Sequence, residues 1–280
     1  MSRTPGIAAT LERAGFGSAA ERLRALRWAV SSLRLRDAVK FTALWLCEPL
    51  GRRSYRVLSE DALLRTRRSD TVFVFGSGGS LRGIGADEWE RIAQFDTVGF
   101  SHFHRQRWVR VDYHLVAEVA SETETAASIR SNPMYADTIF GMAKGWIAHA
   151  PNEIVARRLL PRGARIFRWR RIARGRVAAA STRLGEGLVH GDGSIQDAVN
   201  FALVMGWRRV VVAGADLAGD RYFWMDDDGE PPAAPEPWEQ AAIVVASFRL
   251  WREQAAARGI ELLVYDRRSP LAEALPAFEW

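Results

Sequence analysis

Thr71-Val-Phe-Val-Phe-Gly76-Ser77-Gly78-Gly79-Ser80-Leu81 is the stretch that decides the fold. Its first five residues are all β-branched or aromatic, an unbroken run that suits a strand buried on both faces, as in a parallel sheet. The strand runs directly into a turn containing three glycines and two serines. Glycines let the backbone approach a neighbour or a ligand closely and aim its amides at a phosphate, and serines add hydroxyl donors. Gly76, Ser77, Gly78, Gly79 and Ser80 are therefore candidate nucleotide-binding residues; the other reading is a purely structural tight turn.

From Thr71 onward, short β-rich runs alternate with helical ones. The pattern predicts strands at 71–75, 97–100, 113–117, 138–140, 165–169, 209–213 and 261–265, and helices near 86–94, 121–130, 151–160, 194–206 and 236–258. The expected architecture is α/β: a Rossmann-like, mainly parallel sheet with helices on both faces. A second informative block runs from Gly191 to Leu217. In it Ser194 can cap a helix whose free amides face the crevice, with Gly193 beside it as a further candidate binding residue; Gly206 ends the helix, and an apolar strand carries Asp216 toward the carboxyl edge of the sheet. The glycine turn and this block are expected to converge on one crevice, with Asp216 a candidate site carboxylate.

The segment before Thr71 holds no convincing strand. It reads as an N-terminal helical extension, 1–70, with helices near 8–30, 36–47 and 58–67. Residues 1–70 carry fourteen basic and seven acidic side chains, more than the whole excess of +6. Such a basic amphipathic segment either packs on the core or lies against an anionic membrane face, giving peripheral contact with the inner membrane. Cys47 is the only cysteine, so no intrachain disulfide forms and a cysteine-built metal site is excluded. With no signal-peptide pattern at the start, the expectation is a cytoplasmic protein.

Several chemistries are excluded by pattern. The glycine turn has Leu81 where a dinucleotide fingerprint needs its third glycine, and the next strand leads to Ser101, not an acid, which disfavours a nicotinamide enzyme. There is no phosphate-loop lysine motif and no G-x-S-x-G elbow. No histidine pair has metal-ligand spacing on a helix, and Asp226-x-Asp228 lies in a hydrophilic turn, so no metal site is expected. Residues 157–183 contain ten arginines and no acid, interleaved with Phe167 and Trp169. That run reads either as a solvated face or as a surface for an anionic acceptor such as a glycan or a lipid-linked diphosphate. Nucleic acid is not expected, because no nucleic-acid-binding signature accompanies it.

The strand with its GSGGSL turn, the Gly99-Phe-Ser101-His102-Phe103 strand end and the helix-Gly-Trp-strand-Gly-Ala-Asp block resemble bacterial glycosyltransferases of family 42, the sialyltransferase type. They equally resemble a related family that includes motility-associated glycosylation factors and archaeal pterin diphosphokinases. The similarity spans about 71–118 and 190–266. It implies a CMP-activated nonulosonic or related keto-sugar acid as donor, no cofactor, inversion by direct displacement, and a cell-surface glycan precursor as acceptor. By position, Gly76–Ser80, Ser101 and Ser194 line the nucleotide, and Tyr222 helps stabilise the departing phosphate. A lid is implied near 218–240.

The family's catalytic-base histidine follows that tyrosine, whereas here no histidine follows His190. His190 and His102 remain as base candidates on loops facing the crevice; His104 and His114 read as packed or solvated. Ser77 replaces a family asparagine, and Gly191 stands roughly where an arginine is expected. Two alternatives stay open: a magnesium-dependent diphosphokinase-like transferase using ATP, with Asp216 and Glu118 as metal ligands, and a non-catalytic nucleotide-binding protein.

Overall fold

The structure, a computed structural model, describes residues 35–117, 119, 121–144, 150–172, 177–191, 193–217, 222–225 and 237–280. The predicted helix over 8–30, Glu118, the Asp226-x-Asp228 pair and most of the predicted lid lie outside the described residues.

The strands are β1 (Arg56–Val57), β2 (Thr71–Phe75), β3 (Asp96–Phe100), β4 (Tyr113–Val116), β5 (Ile139–Lys144), β6 (Arg165–Ile172), β7 (Leu188–Val189), β8 (Arg209–Ala213) and β9 (Glu261–Val264). The helices are α1 (Leu35–Arg52), α2 (Glu60–Leu64), α3 (Ala86–Ile92), α4 (Glu122–Ser131), α5 (Ala150–Ala156), α6 (Ser194–Met205) and α7 (Pro237–Ala256). The spatial order is β1-β6-β5-β4-β3-β2-β8-β9, with β7 beside β6, and every ladder is parallel. This is the expected α/β, Rossmann-like sheet.

The chain builds outward from β2 to β6, then returns and builds β8 and β9 on the other side of β2. Crossovers of one hand running in opposite directions must place their helices on opposite faces. The core follows that rule. Along β2, Val72 and Val74 pack with Val199 and Phe201 of α6 and with Phe248 and Trp251 of α7. Phe73 and Phe75 point the other way, into a cluster with Trp89 of α3, Ile129 of α4 and Ile154 of α5. The direction of strand addition reverses between β2 and β8, and the carboxyl ends flanking such a switch point form the natural ligand crevice.

Two buried polar clips fix this frame. The Asp96 carboxylate accepts from the Arg68 and Ser69 amides at 2.9 and 3.1 Å and from Trp207 Nε1 at 2.8 Å, holding the amino ends of β2 and β3. Asn200 of α6 accepts from the amides of Ser181 and Val189 and donates to the Ser181 carbonyl. A buried carboxylate or amide without such partners would cost several kcal/mol. α6 itself ends at Gly206, whose φ of 74° is the left-handed cap that glycine adopts without strain.

The sequence-based boundary at residue 71 is corrected. β1 pairs with β6, and Tyr55, Leu58 and Leu63 are buried, so the sheet domain already includes the mid-fifties. A two-residue strand with both side chains exposed carries no apolar alternation, which is why a helix-only reading missed it. No described helix is long and apolar enough to cross a membrane.

Candidate functional site

At the switch point the glycine turn and the end of β8 interlock. A Cβ on Gly76 would lie 2.1 Å from the Gly214 carbonyl oxygen, and one on Gly78 would lie 2.3 Å from the Asp216 carboxylate. The amides of Gly76 and Gly78 donate to the carbonyls of Ala213 and Gly214 at 2.7 and 2.8 Å. Asp216 accepts from the Ser80 amide at 2.9 Å and from the Ser80 hydroxyl at 2.5 Å. The glycines thus serve backbone-to-backbone contact between two strand ends, and Ser80 and Asp216 bind each other. The amides of Gly76, Gly78 and Ser80, which the sequence reading aims at a phosphate, are spent on β8.

The chain after β8 returns over this turn. Tyr222 forms an isolated antiparallel bridge with Gly78, and the Phe223 amide donates to the Ser77 carbonyl at 3.1 Å. Arg82 clamps the segment from below, donating to the carbonyls of Phe223 and Met225. Tyr222 is 39% exposed and stacks flat on Trp224, ring centroids 4.5 Å apart. The opposite neighbour of Trp224 is His102, also at 4.5 Å. An aromatic wall, Tyr222–Trp224–His102, therefore lines the crevice above the ends of β2 and β3. Ser101 and Leu217, which follow β3 and β8, are two of three non-glycine residues with positive φ among the described residues, each at 51°. Such strain persists only where surrounding structure fixes it and is concentrated at functional sites.

Beside this wall, Ser101 and Ser194 line a small cavity with Leu115, Ala117, Trp169 and Asp197, at the ends of β3 and β4 and the first turn of α6. Its free interior is about 10 Å³, room for one water-sized group. Two of the residues that line it each carry a buried polar atom with no hydrogen-bond partner, Asp197 Oδ1 and Trp169 Nε1, in residues 2% and 1% exposed. The other carboxylate oxygen of Asp197 is fully engaged, with Arg171 Nη2 at 2.7 Å and His190 Nδ1 at 3.2 Å. The expected cap at Ser194 is corrected: Gly193 is the N-cap, with no side-chain cap, its amide donates to Gln196 Oε1 at 3.2 Å, and Ser194 is the first helical residue. The first-turn amides of a helix have no intrahelical acceptor and favour an anion.

Ser101, Gly193, Ser194 and His190 thus gather at the α6 end of the crevice, while Gly76–Ser80, Asp216, Tyr222 and His102 gather at the switch point. Burial, with help from the Arg105 charge, pushes the His102 imidazole below its ordinary range, so it is neutral near pH 7. His104 and His114 continue inward behind it and are packed, as expected: His104 binds Ser128 Oγ at 2.9 Å, and His114 binds the Tyr135 hydroxyl at 2.9 Å. Burial lowers both, His104 to about 4. Among the described residues no three potential metal ligands stand together.

Sequence reasoning missed Asp197 and Trp224. The sequence held no clear signal for Asp197: it is the one acid of α6, beside the polar Gln196 and Asn200, and only the structure shows that residues 195–205 are all buried. The arginine run 157–183 does not form one face. Arg157 pairs with Glu153, Arg165 donates to the Asp137 carbonyl and Arg171 reaches Asp197, so these three are engaged at separate places. No known family model matches the chain, and no curated protein matches it.

Proposed function

We propose that this chain is a sialyltransferase-like glycosyltransferase. It takes a CMP-activated nonulosonic or related keto-sugar acid as donor and a cell-surface glycan precursor as acceptor. The observation that carries the nucleotide part is the cavity at the start of α6, where an unpaired buried carboxylate oxygen and an unpaired indole N–H line a water-sized space. A single hydroxyl both donates and accepts, so a ribose hydroxyl inserted there would satisfy both atoms. The phosphate of the same nucleotide then falls to the first-turn amides of α6 and the Ser194 hydroxyl.

In this reading the acceptor hydroxyl attacks the anomeric carbon, the bond to the phosphate oxygen breaks, and CMP leaves with the electron pair. Tyr222, exposed on the rim, donates to the departing phosphate, where a preorganised donor stabilises developing charge. His190 takes the acceptor proton. Its Nδ1 faces the Asp197 carboxylate, which fixes the tautomer and leaves Nε2 as the basic nitrogen. The diphosphokinase-like alternative needs Asp216 as a metal ligand, and both its oxygens are already held by Ser80.

Calorimetric titration of CMP into the wild type, Trp169→Phe and Asp197→Asn tests the reading. Loss of one such hydrogen bond to a buried partner costs roughly 1–3 kcal/mol, or about 5- to 150-fold in affinity. CMP binding that is equal in all three proteins would remove the cavity from the nucleotide site.

A further inference from the structure

The strongest unassigned feature lies at the opposite end of the sheet. Before the amino ends of β1 and β6 opens a pocket of about 770 Å³, lined by Arg53, Arg56, Arg158 and Arg162 together with Leu50 and Tyr55, and by no carboxylate. All four arginines are exposed. Their neighbours are neutralised or occupied: Arg157 pairs with Glu153 at 2.8 Å and Arg165 donates to the Asp137 carbonyl at 2.6 Å. Arg53, Arg56, Arg158 and Arg162 make no ion pair among the described residues. Arg158 is also the third non-glycine residue with positive φ among the described residues, at 56°, a strained conformation at the pocket rim that this side chain lines.

An apolar helix face adjoins the same pocket, which Leu50 lines. Leu46 and Leu50 near the end of α1 are 61% and 52% exposed. Leu46 and Leu50 are four residues apart and so share one helix face. Exposed leucines beside unpaired arginines match neither a purely solvated face nor a site for a small hydrophilic anion. Arginine binds phosphate in a forked geometry, and the apolar rim has a place only where acyl chains begin.

We infer that this face docks on an anionic phospholipid surface, with lipid phosphates held by Arg53, Arg56, Arg158 and Arg162 and with Leu46 and Leu50 entering the headgroup boundary. Charge complementarity is supported along the chain as well: residues 1–57 carry eleven basic and four acidic side chains. Parallel strands place their amino and carboxyl ends on opposite sides of the molecule. Docking through the amino ends of β1 and β6 therefore leaves the carboxyl-end crevice facing water. This inference is independent of the transferase reading.

The full-length protein is suited to a direct test, because Cys47 is the only cysteine, is exposed, and adjoins Leu46. An environment-sensitive fluorophore on Cys47 should shift to the blue with vesicles containing about 30% phosphatidylglycerol and stay unchanged with pure phosphatidylcholine, since only anionic lipids attract basic segments. In co-sedimentation, Arg56→Gln should weaken binding about fivefold, and Arg56→Gln with Arg162→Gln roughly 30-fold. Leu46→Ser with Leu50→Ser should abolish the blue shift while leaving residual salt-sensitive binding. Wild-type binding by the double arginine variant would overturn the inference, as would equal binding to neutral and anionic vesicles. A blue shift produced by inorganic pyrophosphate without vesicles would also overturn it, assigning the pocket to a soluble phosphate compound.

Discussion

Gly78→Ala isolates the latch between the glycine turn and β8. Gly78 has φ −66° and ψ 152°, a conformation alanine adopts freely, so the substitution carries no backbone strain. Its cost arises from one contact, the added Cβ against the Asp216 carboxylate at 2.3 Å. The carboxylate must move by about an ångström to reach van der Waals distance, and in moving it gives up the Ser80 amide and hydroxyl. Each hydrogen bond to a charged group is worth about 1.5–3 kcal/mol. With partial recovery through water, the loss should be about 3 kcal/mol, a fall in Tm of roughly 6–12 °C for a chain of this size. Gly83 supplies the control, since a Cβ there meets nothing within 4 Å, and Gly83→Ala should be neutral or slightly stabilising. Thermal unfolding of Gly78→Ala in wild-type and Asp216→Ala backgrounds closes a double-mutant cycle. Without the carboxylate the same change should cost less than about 1 kcal/mol. Equal destabilisation in both backgrounds would refute the clash as the cause.

Acid should destabilise the protein through its buried histidines. The folded value of His104 is about 4, below its unfolded value, so the unfolded chain binds the proton first. Its contribution is complete above about pH 6.5 and falls by about 3 kcal/mol as the pH drops to 4; urea unfolding from pH 7 to 4 should show the slope, and His104→Gln should flatten it. Tyr222→Phe should lower turnover at least tenfold with nucleotide affinity little changed, and unaltered turnover would remove Tyr222 from the leaving-group role. His190→Gln should cut kcat by about 10²–10⁴ with little change in donor KM. Asp197→Asn should lower kcat as well as CMP affinity, because it alters the partner that orients His190, and unchanged values of both would leave Asp197 a purely structural group.

Most of the sheet was legible because its strands are buried on both faces. TVFVF and RVVVA carry that burial in their composition, and the structure places β2 and β8 where the sequence puts them. What escaped was either too short to have a period, as in β1 and β7, or polar inside an apolar element. Asp197 belongs to the second kind. A lone acid in a helix looks like a solvated residue until the helix is known to be buried all round. The glycine turn shows the converse difficulty. Glycine signals close approach but not what approaches, and here the nearest atoms to Gly76 and Gly78 belong to Gly214 and Asp216. The positions of Ser101 and Ser194 were readable because strand ends and helix starts must meet at the carboxyl edge of a parallel sheet.

The most direct test of a nucleotide site in the crevice is thermal unfolding of the purified protein with CMP, CDP, UDP, GDP and ATP, each with and without magnesium. A ligand at 100 times its dissociation constant adds about 2.7 kcal/mol, a rise of several degrees for a domain of this size. Stabilisation by CMP without magnesium is the predicted result, lost in Trp169→Phe. Stabilisation by ATP with magnesium alone would replace the transferred sugar with a diphosphoryl group, and no response to any nucleotide would contradict the site itself.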